Sequence, residues 1–133
     1  MQLEKTYDSN FSIQAVYGAW VSSNTVIPPA TRMEVLPEVG GHYRLIMETP
    51  DFKGKNEGKF LAVDPGEHVI YRWEWNDDGE ITSIEVTFSE INNGTQVGLK
   101  QSGFTKEKSV THHDSGWDSD IEGFTAHLQS RTR

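Results

Sequence analysis

Five polar side chains in the last third of the chain are of the types that do chemistry: His112, His113, Asp114, Asp118 and Asp120. A metal centre would need the first four to converge. Adjacent histidines on a helix point about 100° apart, and the His-x-x-x-His spacing of a helical metal site is missing, so no metal is expected. His113 and Asp120 are better placed, because residues seven apart share a helical face. They lie about 10 Å apart along the axis, however, and would act on opposite ends of one ligand rather than on one atom. The plainer reading makes them the wet border of an amphipathic helix, and both readings stand at this point. Elsewhere there is no nucleophile elbow, phosphate loop or dinucleotide fingerprint. The absence of cysteine removes thiol catalysis, thiolate metal sites and disulfides.

The element that must carry these residues is the stretch from Thr105 to Leu128, the one long segment with helical rather than alternating periodicity. Val110, Trp117, Ile121, Phe124 and Leu128 project within about 60° of one another, a narrow stripe for one partner surface. Burying each is worth roughly 1.5–3 kcal/mol, so the helix should be the main lid of a core. His113, Gly116, Asp120 and, just beyond them, Gly123 form one border of that stripe. Each glycine costs a helix roughly 1 kcal/mol against alanine, which points to close backbone approach or to open space on that side. The start is ambiguous: Thr105 can cap the helix before Lys106-Glu107, and Thr111-His112-His113-Asp114 fits a capping box. At the other end, residues 130–133 read as a frayed tail.

The rest is mostly sheet. Leu3, Lys5 and Tyr7 alternate in a weak strand ending at Asp8-Ser9-Asn10, where Ser9 or Asn10 can cap a short helix from about Phe11 to Trp20. Ser22-Ser23-Asn24 and Pro28-Pro29 then make a loop. From Thr31 onward the period is two, with about six antiparallel strands separated by Gly40-Gly41, a reversal over Pro50 to Lys55, Pro65-Gly66, Asn76-Asp77-Asp78-Gly79 and Asn92-Asn93-Gly94. The strongest strand alternates Val69, Tyr71, Trp73 and Trp75 with His68, Ile70, Arg72 and Glu74, whose face reads as solvated and ion-paired. Strands closed by a helix define an α+β class, a curved sheet gripping the last helix.

Composition narrows the partners. At 133 residues one domain with a single sizeable core is expected. A net charge of −8 argues against nucleic acid or an anionic membrane as the main partner, because both are bound through excess Lys and Arg. The N-terminus lacks the apolar core of a signal peptide and no run is long enough to span a membrane, so a soluble, cytoplasmic protein is expected. Four Trp, four Tyr and six Phe are most simply core, yet a curved sheet under one helix leaves a cavity unless large side chains fill it.

Val16-Tyr17-Gly18-Ala19-Trp20 resembles the first-helix motif of START-like (SRPBCC) proteins of the activator of heat-shock-protein-90 ATPase homologue type. Val39-Gly40-Gly41-His42-Tyr43-Arg44, Val69-Ile70-Tyr71-Arg72-Trp73-Glu74-Trp75, Asn93-Gly94-Thr95, Ser102-Gly103-Phe104 and Gly116-Trp117 follow in that family's order. The resemblance implies a helix-grip fold, about seven antiparallel strands wrapped around a C-terminal helix, with a cavity between them for an apolar or amphipathic small molecule. Carried onto this sequence, it makes Trp20, Tyr43, Tyr71, Trp73, His113, Trp117 and Asp120 the candidate ligand-binding residues, with the mouth near the Ser22–Pro29 loop. Many relatives are apolar at the position of Asp120, so here a polar group should enter the pocket. No cofactor is implied. A chaperone-associated interaction module, a homodimer and a cyclase- or dehydratase-like enzyme are the alternatives that the resemblance leaves open.

Overall fold

Alternation and turn chemistry produce the elements in the expected order. The computed structural model describes residues 1–131, with β1 (Gln2–Ser9), α1 (Ile13–Trp20), β2 (Arg32–Val35), β3 (His42–Thr49), β4 (Phe52–Asp64), β5 (His68–Trp75), β6 (Thr82–Ile91), β7 (Gly94–Ser102) and α2 (Glu107–Arg131). The strands form one antiparallel sheet in the order β1-β7-β6-β5-β4-β3-β2. Six strands from β2 to β7 run as a meander, and β1 joins the free edge of β7. This is the helix-grip architecture.

Local chemistry moves several boundaries. The cap of α1 is Ser12 rather than Ser9 or Asn10: its Oγ accepts from Ala15 N at 3.2 Å, and Ser9 Oγ accepts from Phe11 N instead. The β3–β4 reversal is tighter than the expected Pro50 to Lys55. Thr49 pairs with Phe52 across Pro50-Asp51, and Phe52 stacks on Trp75 with ring centroids 6.0 Å apart. The polar run from Lys53 to Gly58 is therefore strand. Gly58 is required there, since a Cβ would lie 1.8 Å from Arg72 O of the adjoining strand. A register shift between Phe60 and Ala62 bends β4 and gives the sheet its curvature. The β6–β7 hairpin closes on Asn92-Asn93, with Asn93 at φ +66°, and Gly94 is the first residue of β7, paired with Ile91, rather than part of the turn.

The last helix starts at the earlier of the two possible sites. Glu80 fixes the entry by accepting from both Thr105 N and Thr105 Oγ1, at 2.8 and 2.7 Å, while Thr111 lies within the helix with its hydroxyl on Glu107 O. These contacts hold the Glu80 carboxyl at about 2, well below its usual value. At the far end, residues 130 and 131 of the expected frayed tail are helical: Ser130 Oγ donates to His127 O at 2.8 Å and the helix continues to Arg131. The last two residues of that expectation lie outside the described residues.

Inward side chains alternate as the period of two demands: Val69 and Tyr71 from β5, Ile84, Val86 and Phe88 from β6, Val97 and Leu99 from β7. Val16, Ala19 and Trp20 of α1 and Phe124 and Leu128 of α2 close over them. The expected five-residue stripe is only partly core. Phe124 and Leu128 are buried, while Val110, Trp117 and Ile121 are half-buried. A second contact ties α2 to the edge strand: Lys5 Nζ bonds Asp114 and Asp118, the latter at 2.8 Å, and Tyr7 Oη donates to Asp118 at 3.1 Å. On the outer face Arg44 bridges Glu34 and Glu57 at 2.6 and 2.9 Å, and His68 contacts Asp64 and Glu85. The Glu74 carboxylate accepts from Gly79 N, so this side of β5 is the polar face that its alternation suggested, held by hydrogen bonds.

Candidate functional site

The half-burial of α2 has a geometric cause. Between its first half and the β3–β5 side of the sheet lies a cavity of about 320 Å³, at the small end of the range for small-molecule sites. Trp117 and Ile121 stop being core where they become wall. From the sheet come Tyr43, Leu45 and Met47 of β3, Asn56 of β4, and Tyr71 and Trp73 of β5. Thr25, Ile27 and Pro29 contribute the wall between α1 and β2.

The two helix glycines now separate. Gly123 is a close approach, since a Cβ would sit 2.4 Å from Ile27 Cγ2, and this lets the loop lie on the helix. Gly116 is open space, with nothing within 4 Å of where a Cβ would stand, and it lines the cavity. One border of the helix thus serves both purposes that its glycines suggested.

Aromatic contacts make the wall rigid. Trp20 stacks on Trp117 at 6.1 Å and 14°, and meets Phe124 and Phe88 edge-on at 5.2 and 6.0 Å. Tyr43 and Tyr71 stack at 4.4 Å and 15°, with Trp73 tilted against both. Polar atoms are threaded through these rings in one direction. Trp20 Nε1 donates to Tyr71 Oη at 3.3 Å, and the Tyr71 hydroxyl is bonded in turn to that of Tyr43. Burial raises both phenols above their usual range, and the negative charge of nearby Asp120 raises both further. Trp117 Nε1 donates to Gln101 Oε1 at 2.9 Å, and Gln101 Nε2 donates to Thr82 Oγ1 at 2.8 Å. Each indole and phenol is thereby held in one orientation.

Asp120 differs from the other aspartates of its helix. Asp114 and Asp118 turn away to Lys5, whereas Asp120 lies on the cavity wall and makes no hydrogen bond or ion pair among the described residues. It keeps contact with solvent, but the surrounding protein still raises its carboxyl to about 6 through desolvation. His113 packs its ring on Phe104 at 5.1 Å and places Nδ1 2.8 Å from Ser109 O. A carbonyl only accepts, so Nδ1 carries the proton, and in the neutral ring Nε2 is the acceptor.

All seven candidate residues, Trp20, Tyr43, Tyr71, Trp73, His113, Trp117 and Asp120, line this one cavity. The four-residue cluster considered as a metal set is dispersed, its two aspartates on Lys5 and its two histidine rings at 82°. No group of three metal-ligating side chains occurs among the described residues. Two polar participants escape sequence reading. Asn56 has a buried Oδ1 with no partner and lines the cavity; its segment looks like a turn because of its polar, glycine-flanked composition. Gln101 is fully buried and orients Trp117; its signal was available, since Val97, Leu99 and Gln101 share one inward face of β7.

With this geometry established, known proteins give a consistent assignment. No curated protein sequence matches the chain. Among solved structures, it is similar to the AHSA1-like protein from Aeromonas hydrophila, 20% identical with a TM-score of 0.84 over 99% of this chain and 94% of that one. It is similar to CV1439 from Chromobacterium violaceum, 18% identical with a TM-score of 0.83 over 96% of each chain. It also resembles a subunit of the Aha1 dimer from Colwellia psychrerythraea, at 13% identity and a TM-score of 0.76 over 96% of each. These likenesses carry the fold. No helix among the described residues is long and apolar enough to cross a membrane. The model of the family described as "Activator of Hsp90 ATPase homolog 1-like protein" matches residues 10–129, and the chain belongs to that family.

Proposed function

We propose that this chain is a single START-like domain that binds an apolar or amphipathic small molecule in the cavity between α2 and the sheet. The observation that carries the reading is the cavity itself: about 320 Å³ walled by fixed aromatic rings, with an unpartnered carboxylate on one side. A wall of that kind gives a hydrophobic body contact on several faces and gives a polar end one place to go. The arrangement suits binding better than catalysis. His113 has one nitrogen committed to Ser109 O, and no side chain is poised to deliver a nucleophile to a bound molecule. Asp120 and His113 stand two helical turns apart, which suits orientation of a ligand's ends.

Native mass spectrometry of the purified protein tests the reading, together with titration of a small neutral aromatic such as 2-naphthylethanol followed by calorimetry. Binding should raise the melting temperature, with a stabilisation of about 2.7 kcal/mol at a hundredfold excess over Kd. A protein that retains no small molecule and gives no heat with such probes is not a binding domain of this kind.

A second reading follows from the family's description and from the name of the Colwellia neighbour: a chaperone-associated interaction module. Leu36 and Val39, exposed in the β2–β3 connection, adjoin exposed Leu61 of β4, because Gly40 N bonds Phe60 O there. Co-sedimentation with an Hsp90 chaperone separates this reading from the first, since it requires no cavity ligand.

A further inference from the structure

The polar atoms on the cavity wall are unbalanced in sign. Among the described residues, Asp120 is the one carboxylate on the cavity lining, and no Lys or Arg lines it. Asn56 adds a buried oxygen without a donor, and His113 in its Nδ1-protonated form adds an acceptor nitrogen. The neighbouring Asp114 and Asp118 are satisfied by Lys5, so the lack of a partner at Asp120 is particular to the cavity. Tyr43, Trp73 and Trp117 line the same cavity, and aromatic rings attract cations through their quadrupoles.

Ligand classes fare differently in such a place. An anion would be repelled by Asp120 and would leave Asn56 Oδ1 unpaired. A hydrocarbon would cover part of the carboxylate's surroundings and offer it nothing to bond, which costs free energy. A neutral alcohol supplies one donor. A protonated amine supplies two or three donors and the opposite charge, and its carbon skeleton suits the aromatic walls.

We propose that the cavity selects an amphipathic cation, a protonated primary or secondary amine on an apolar body, with the ammonium beside Asp120 and the body among Tyr43, Trp73 and Trp117. The proposal rests on the binding function above and specifies its ligand class. The raised pKa of Asp120 agrees with it, because it marks a carboxylate with no positive charge nearby. The groups that face Asp120 are Tyr43 and Tyr71 across the cavity and His112 and His113 on its own helix, while Met33 of β2 and Thr25, Ile27 and Pro29 of the loop carry no charge. The amine binds the ionised carboxylate, so its affinity rises with pH through about 6 and then levels off. Protonation of either histidine would weaken the amine at low pH in the same direction, so a variant is needed to separate the two.

The test compares 2-naphthylethylamine with its neutral counterpart 2-naphthylethanol by calorimetry at about pH 7.5 and pH 5, on wild type and on Asp120→Asn. We expect the amine to bind wild type about tenfold more tightly than the alcohol at the higher pH, with a smaller preference at the lower one. In Asp120→Asn the preference, read as the ratio of the two probes' affinities, should disappear. Equal binding of the two probes to wild type, or an undiminished amine preference in Asp120→Asn, would overturn the cation assignment and leave the binding function standing. If neither probe binds, both conclusions fall. The wild-type comparison does not depend on how the variant folds.

Discussion

A carboxyl group that is harder to ionise in the folded chain than in the unfolded one makes stability depend on pH. Asp120 has an ordinary unfolded value near 3.9 and a folded value of about 6, so between these the folded state holds more protons. Its contribution is fully present below the unfolded value and is lost as pH rises through about 6. Chemical denaturation of wild type and Asp120→Asn between pH 4 and pH 7 should therefore show the variant gaining on wild type as pH increases. A constant difference would place Asp120 in bulk water. Glu80 has the opposite sign: its depressed carboxyl contributes above about 4.5 and is lost on acidification toward 2. Glu80→Gln should cost roughly 1 kcal/mol at neutral pH, the scale of a helix cap, and the cost should vanish in strong acid. At this scale the sequence was informative where a residue broke its own local pattern. Asp120 stood out beside an apolar stripe, and Gln101 could have been recognised in the same way among inward valine and leucine. Asn56 broke no pattern, because everything around it is polar, and it faces inward in phase with Gly54, Gly58 and Phe60 in a segment that reads as a turn.

The helix α2 combines a core half and a wall half, and substitutions should divide accordingly. Phe124 is buried and packs edge-on against Trp20 at 5.2 Å, so Phe124→Ala should cost roughly 3–5 kcal/mol in denaturant melts. A loss below about 1 kcal/mol would mean that the stripe is not core. Gly116→Ala points into free space and should raise stability by up to about 1 kcal/mol through helix propensity while narrowing the cavity. Gly123→Ala meets Ile27 at 2.4 Å and should lower stability by displacing the loop, a contrast in sign that thermal melts of the pair would reveal. Periodicity identified both helices, the hairpins and the inward face of β5, because those depend on spacing along the chain. Which member of the stripe became core and which became wall depends on how far the sheet bends, and that follows from the register shift after Phe60. The cap at Ser12 was equally hidden, since Ser9, Asn10 and Ser12 are all capping types and the path of the chain out of β1 decides among them.

Across the whole molecule, protection should follow the layers. The centre of the sheet, β5 to β7, carries fully buried side chains on its inner face, while the segment from Ser22 to Thr31 has only scattered backbone bonds. Hydrogen exchange should be slowest in the former and fast in the latter, and a cavity ligand should slow the loop more than the sheet. Equal effects on both would mean that the ligand binds elsewhere. The Lys5 contact adds an asymmetry. The helix α2 is fastened to β1 and to α1, whereas β2, β3 and β4 face it chiefly across the cavity. A lid secured along one side can tilt about that side without losing its fastening, so the space beneath it can widen toward β3 while Lys5 stays on Asp114 and Asp118. The size of molecule admitted is then governed by the rim on the β3 side, where Leu45 and Met47 line the cavity, and relatives could exchange ligands by altering that rim while keeping the fastening and the fold.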